Sequence, residues 1–536
     1  MRKQAEKPDY VTERQQQRAY LVGGGIASLA SAVYLITEGG LRGENIHILN
    51  QDRVNGGALD GSGSPEQGYL IRGGRMHEGH FVCTWDLLSR IPTLYDSNKT
   101  VSEEIFTFNE KVVTASTSRL LRNGEKVDVS SYGLSQRDNY DMLRLLLHSE
   151  ESLGTTRIDE WFSPEFFNTI FWMLWSTTFA FQPWSSVVEM RRYFQRFIHL
   201  LPGFNQLRGI MRTVYNQYDS VVLPVETWLK AQGVHFQQEC QVHDIDFAIT
   251  PAEKRATAIH TQQAGNAATI ELAETDLLLV TLGSMVENAT TGSMSSPPLL
   301  NRDISHGSWA LWKRIAAKDA AFGHPGVFCD NIDESKWMSF TVTVKDPTFF
   351  EHMEAFTGNP AGTGGLVTFT DSNWLMSVVL AYQPHFLNQP EDVFVFWGDG
   401  LFPDREGNYV KKRMSECNGE EILDELFYHL KIAEKMQPLR DKLICIPCMM
   451  PFIDSQFQPR APGDRPYVVP DGATNFAFIG QFVEVPKDCV FTVEYSVRTA
   501  QTAVFTLLGV ERDVSPMYEG SHEMHVLIEA FKAVNR

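Results

Sequence analysis

A short apolar run, Ala19-Tyr-Leu-Val22, passes through Gly23-Gly-Gly25 into Ile26, Ala27 and Ser28, and residues 29–36 then repeat apolar side chains at helical spacing. A strand that turns through glycine into a helix leaves unpaired amides and the positive end of a helix dipole at one point, which is where a pyrophosphate binds. The same grammar returns near the other end, where Asn475-Phe-Ala-Phe-Ile-Gly480 leads to a helix expected from Val490, with Phe491 and Thr492 in its first turn. Between them Asp276-Leu-Leu-Leu-Val-Thr-Leu-Gly283-Ser284 reads as a buried strand coming back to the same sheet. One nucleotide domain is therefore built from distant segments. The fold class this requires is α/β, a discontinuous Rossmann-like domain with the remaining chain interleaved.

The second strand of the pattern, Asn45-Ile-His-Ile-Leu-Asn50, ends where a dinucleotide site wants a carboxylate for ribose hydroxyls, and Asn50-Gln51-Asp52 stands there instead. Amides accept hydrogen bonds less strongly than an ionised acid, so weakened cofactor binding is expected. Asn55-Gly56-Gly57 follows, a second glycine turn of the kind that covers phosphates in flavoproteins. Next comes Arg72-Gly73-Gly74-Arg75-Met76, in which glycines allow a flat group to approach the main chain and two arginines supply fixed positive donors.

Size and charge limit what this domain works with. A chain of 536 residues exceeds one ordinary core. A net charge of -19 argues against nucleic acid, whose phosphates it would repel. Seven scattered cysteines suit reduced thiols and a cytoplasmic setting; Cys445 and Cys448 have no second pair to complete a zinc site, and no metal is expected. The first nineteen residues lack the apolar centre of a secretory signal. Residues 166–188 carry no charge, but their serines, threonines, Asn168 and Gln182-Pro183 favour a buried aromatic helix over a membrane span, with transient membrane contact as the weaker reading.

Expected boundaries follow from these signals. Residues 18–130, 205–300 and 471–512 are read as three pieces of the nucleotide domain. Residues 131–204 form a helical region lining the substrate, 301–470 an α+β substrate domain, and 513–536 a C-terminal helical segment. The Ser/Thr/Pro-rich stretch 290–298 reads as a linker, and 337–344, 366–370, 374–381 and 393–397 as strands. His385, after Gln383-Pro384, could bind a carboxylate or carry a proton.

Long strings in this chain resemble the oleate hydratase family, also described as myosin-cross-reactive antigens. They include Arg72-Gly-Gly-Arg75 with His80-Phe81 and Trp85-Asp-Leu87, Glu189-Met-Arg-Arg-Tyr193, Tyr215-Asn-Gln-Tyr218, Asp371-Ser-Asn-Trp374, Gln383-Pro-His-Phe386 and Phe491-Thr-Val-Glu-Tyr-Ser-Val-Arg498. The resemblance runs from about residue 19 to about residue 512. It implies FAD bound without net redox change, and addition of water to the cis double bond of oleate to give 10-hydroxystearate. It also implies that Tyr193 is the acid that protonates the alkene.

The pattern breaks at one decisive place. Members typically carry glutamate after Arg-Gly-Gly-Arg as the water-activating base, and here that position is Met76. Glu78 is the expected substitute, with His77 or a backbone carbonyl as the other options. The carboxylate-binding Thr-x-Asn-x-Gln-Pro-His of the family reads Val379-Leu-Ala381-Tyr-Gln383-Pro-His385. Its residues are the expected substrate contacts, with head-group preference altered. Short ends relative to dimerising members imply a monomer. Two other readings fit the same architecture: a redox flavoenzyme of amine-oxidase or desaturase type, and a non-catalytic flavin- or lipid-binding protein.

Overall fold

The computed structural model describes residue 14, residues 16–74 and residues 76–535. Its organising layer is a five-stranded, all-parallel sheet in the order Phe476–Ile479, Leu277–Thr281, Ala19–Val22, Ile46–Leu49, His235–Gln237. The strands come from both ends and the middle of the chain, so the nucleotide domain is discontinuous as the sequence requires. Helices Ile26–Thr37 and Val493–Leu508 pack on one another beside this sheet. The second helix starts three residues later than Val490, because Phe491 adopts a left-handed φ of 65° and Thr492 caps the helix by accepting the Tyr495 amide. A polar antiparallel meander, Cys240–Ile249, Lys254–Gln263 and Asn266–Glu271, extends from the same region.

The second layer is an eight-stranded sheet centred on Trp337–Val344, which pairs antiparallel with Leu443–Met450 on one side and Phe394–Gly400 on the other. Alternation along that strand sorts its two faces. Met338, Phe340, Val342 and Val344 enter a core with Phe349 and Phe427 of the helices Thr348–Thr357 and Gly419–Leu430. On the opposite face Thr341 and Thr343 accept the Ile71 and Tyr69 amides at 3.1 and 2.8 Å. The strand Gly68–Ile71 thereby lies across the sheet, and the arginine-glycine turn leaves from its end.

Two segments sit elsewhere than expected. Leu120–Arg122 and Glu125–Lys126, read with the first nucleotide segment, are edge strands of the eight-stranded sheet. Thr290–Thr291, read as linker, forms its other edge against Leu443–Met450. The uncharged stretch 166–188 is buried but is not one helix. Helix Ile170–Phe179 ends at Ala180, which has a left-handed φ of 63°, and Val187–Phe197 begins after the Gln182-Pro183 turn. Among the described residues no helix is long and apolar enough to cross a membrane.

Candidate functional site

The two glycine turns close on each other to form an open cleft of about 1090 Å³. Gly56 donates its amide to the Gly24 carbonyl at 2.8 Å, and Gly56 and Gly57 both need positive φ. A Cβ on Gly25 would meet no protein atom within 4 Å, although a Cβ on Gly24 would strike Asn50 at 2.4 Å. Space at Gly25 is thus left for something other than protein. No side chain caps the N-terminus of Ile26–Thr37. Its first-turn amides face a cleft shaped for a diphosphate.

Of the expected cofactor contacts, Gly23, Gly25, Ile26, Ala27, Asn50, Gln51, Gly56, Gly57, Gly283, Ser284, Gly480, Phe491 and Thr492 line this cleft. Ser28 does not. It is buried with its hydroxyl 3.3 Å from that of Thr281, where its small size lets helix and strand approach. Arg72 is also set back: it ion-pairs with Asp60 at 2.7 Å and donates to the Gly57 carbonyl at 3.1 Å, so it braces the second glycine turn. Gly73 is buried and lines neither cavity, and Arg75 lies outside the described residues.

A buried acid, Glu287, braces the residues that stand where the acid is missing, without itself lining the cleft. Asn50 is occupied in its own loop, donating to Val54 O and Asn55 Oδ1. Gln51 instead donates to both carboxylate oxygens of Glu287 at 3.2 Å, and Ser308, which lines the cleft, donates to Glu287 at 2.6 Å. Burial holds the Glu287 carboxyl above its ordinary range. Only its position just after the Gly283-Ser284 turn could have drawn attention to it.

A second cavity, about 700 Å³, opens beside the arginine-glycine turn. Val379, Ala381 and His385, the expected substrate contacts, line it with Met76, with Gly74, which was expected at the cofactor, and with Arg212, Thr213 and Trp397. Gln383 does not. Its amide ties the turn together through Ala381 O, Val395 O, Val395 N and Gln389. Burial, and after it the Arg212 charge, pushes the His385 imidazole down to about 4. Arg212 donates to Gly364 O at 2.6 Å, and its buried Nε has no partner. A guanidinium enclosed in this way favours an incoming carboxylate. Nothing around Arg212 in the sequence marks it, because only the fold brings it to His385.

Tyr193 lines neither cavity and is buried behind the Phe491 side of the first cleft. Phe179, Phe181, Phe197 and Phe457 enclose its ring at centroid distances of 5.0, 4.9, 5.4 and 5.9 Å. Its hydroxyl donates to the Val490 carbonyl at 2.6 Å, one residue from the cleft-lining Phe491. Burial, reinforced by nearby acidic groups, raises the phenol well above its usual pKa. It holds its proton at any ordinary pH.

Glu78 is not at either cavity. The short pairing of His77–Glu78 with Ile210–Met211 directs its carboxylate to His80 Nδ1 at 2.7 Å and His199 Nε2 at 3.1 Å. Burial works to raise this acid, but the two histidines outweigh it and the carboxyl is lowered. The donor atoms of Glu78, His80 and His199 lie within 4.8 Å of one another, a set able to ligate a divalent cation where the sequence pointed to none. His77 is buried beside Trp85 with both ring nitrogens unpartnered, and burial lowers it to about 4. Neither expected substitute for the missing base therefore faces substrate space.

The MCRA family pattern matches residues 16–505. The chain is 40% identical over 531 residues to an oleate hydratase of Streptococcus pyogenes serotype M49 (strain NZ131), with 97% of this chain and 90% of the relative covered. It is 32% identical over 541 residues to a linoleate hydratase of Lactiplantibacillus plantarum, covering 93% and 95%.

Proposed function

The chain belongs to the MCRA family, and from that membership we propose that it is an FAD-dependent hydratase of unsaturated fatty acids, adding water to the cis-9 double bond of oleate to give the 10-hydroxy acid. The observation that carries the reading is the placement of Tyr193, a buried phenol one residue behind the lining of a dinucleotide-shaped cleft. FAD would lie along the two glycine turns, with its pyrophosphate at the helix of Ile26. Bound there it supplies an electron-rich ring that steadies positive charge without exchanging electrons. Arg212 and His385 would receive the fatty-acid carboxylate in the second cavity, and the Tyr193 hydroxyl would deliver the proton. All seven cysteines are buried and unpaired, which supports a reducing, cytoplasmic setting.

Incubation with FAD and oleate in heavy-oxygen water, without dioxygen, tests this reading. Mass spectrometry should find one labelled hydroxyl per product and no acceptor consumed. An oxidised product would favour the redox alternative, and unchanged oleate the non-catalytic one.

A further inference from the structure

Met76 leaves the reaction without an acceptor for the proton of water, and the eight-stranded sheet supplies one from an unexpected direction. Register places Ser339 opposite Asp399 and Thr341 opposite Trp397, and on the next strand Ser377 opposite Asp399 and Val379 opposite Trp397. Alternation puts all six side chains on one face. Trp397 and Val379 line the second cavity together with Met76 and Ile71. Asp399 is the next residue on that face beyond Trp397.

The arginine-glycine turn departs at the same level. Tyr69 is bonded to Thr343 and Ile71 to Thr341, so each two-residue advance steps two residues back along the central strand. The paired strand ends at Ile71, two residues along the central strand from Ser339 and its cross-strand partner Asp399. Asp399 is only 3% exposed, and the Ser339 hydroxyl is buried without a partner. Burial and the nearby Asp454 charge act on the Asp399 carboxyl. The Ser339 hydroxyl, without a partner among the described residues, and the Asp399 carboxyl on the neighbouring strand offer two polar contacts to one water. Asp454 acts electrostatically on both the Asp399 carboxyl and the Tyr193 phenol.

We propose that the Asp399 carboxylate holds the attacking water and takes its proton, the task Met76 cannot perform. The assignment rests on the hydratase reading. The alkene π pair forms a C–H bond with the Tyr193 proton as the phenolic O–H breaks. The water oxygen bonds to the adjacent carbon, and its O–H proton passes to Asp399. That proton then returns to the phenolate, so neither residue is consumed and no electrons are transferred. Burial and Asp454 raise the Asp399 carboxyl well above the usual range. That raise makes the carboxylate a stronger proton acceptor and favours the protonated form it reaches after the water has reacted.

The test uses the FAD-loaded full chain. D399N keeps the shape and removes the base, so kcat should fall about a hundredfold or more while KM and flavin absorbance stay near those of the natural chain. Adding M76E to D399N should recover at least about tenfold of the loss, because a carboxylate again reaches the water. Turnover of D399N within about threefold of the natural chain, a smaller loss than any general base leaves, would overturn the assignment while leaving the hydratase reading intact. A natural chain that hydrates no unsaturated acid would remove both. Should D399N fail to fold, D399A with added formate takes its place: rescue of turnover supports the assignment, and its absence overturns it.

Discussion

At the scale of single residues, Tyr193, the proposed acid, is a phenol held so that its hydroxyl has one acceptor. Its ring is held by phenylalanines and its hydroxyl has one acceptor, the Val490 carbonyl. Tyr193→Phe removes that hydrogen bond and the transferable proton but little packing. The expected cost is about 1 kcal/mol of stability and a fall in turnover of about a hundredfold or more, with flavin binding retained. Paired melting and product assays check this, and near-normal turnover would take Tyr193 out of the acid's role. Sequence made Tyr193 visible only through resemblance, since a tyrosine in an aromatic helix has no local mark of chemistry. Arg212 and Asp399 had no mark at all, and Glu287 only its place just after the Gly283-Ser284 turn, because each acquires its surroundings from segments distant in the chain. Asn50, Ser28 and Gln383 show the reverse: they occupy expected contact positions, yet backbone and neighbouring side chains take up their polar atoms.

At the scale of elements, helix Val187–Phe197 is fixed by charges rather than by its aromatic face alone. Glu189, fully buried in its first turn, pairs with Arg460 and Arg465 at 3.0 Å each, while Arg192 reaches Glu150 at 2.6 Å and Glu484 at 2.7 Å. Burial opposes ionisation of Glu189, but Arg465, Arg460 and Arg192 outweigh it and lower the carboxyl to about 2. Because the folded value lies below the unfolded one near 4.5, the stabilisation is full above about pH 4.5 and fades as pH falls toward 2. E189A should therefore cost about 3–5 kcal/mol at neutral pH by stranding two buried arginines. E189Q should lose less melting temperature than the natural chain between pH 5 and about 3, since its carboxylate is already gone; equal losses would sink the argument. Strands with a strong apolar signal, such as Trp337–Val344, were legible to the residue. The short strands Thr290–Thr291 and Leu120–Arg122 were not, having too few residues to carry a period. The break at Ala180 was equally hidden, because a left-handed alanine leaves no trace in composition.

At the scale of the whole molecule, the surface carries two apolar rows that the core does not use. Helix Gln136–Leu147 exposes Tyr140, Leu143 and Leu147, and helix Met524–Val534 exposes Met524, Ile528 and Phe531. The two helices are joined where Asn139 donates to Asn535 at 3.1 Å. Scattered apolar side chains need no explanation, but aligned rows on neighbouring helices mark a contact surface. A fatty acid dissolves in bilayers far better than in water, so a lipid surface is the occupant this proposed activity calls for. The net charge of -19 then sets the sign of the electrostatics: anionic lipid should weaken the contact, and salt should partly restore it. Sedimentation with phosphatidylcholine vesicles should carry the natural chain down. M524D/F531D should cut the bound fraction about tenfold or more, since burying two such side chains contributes roughly 3 kcal/mol or more, while turnover on detergent-dispersed oleate stays unchanged. Binding that survives the double substitution, or light scattering that finds a dimer lost with it, would assign these rows to something other than a bilayer.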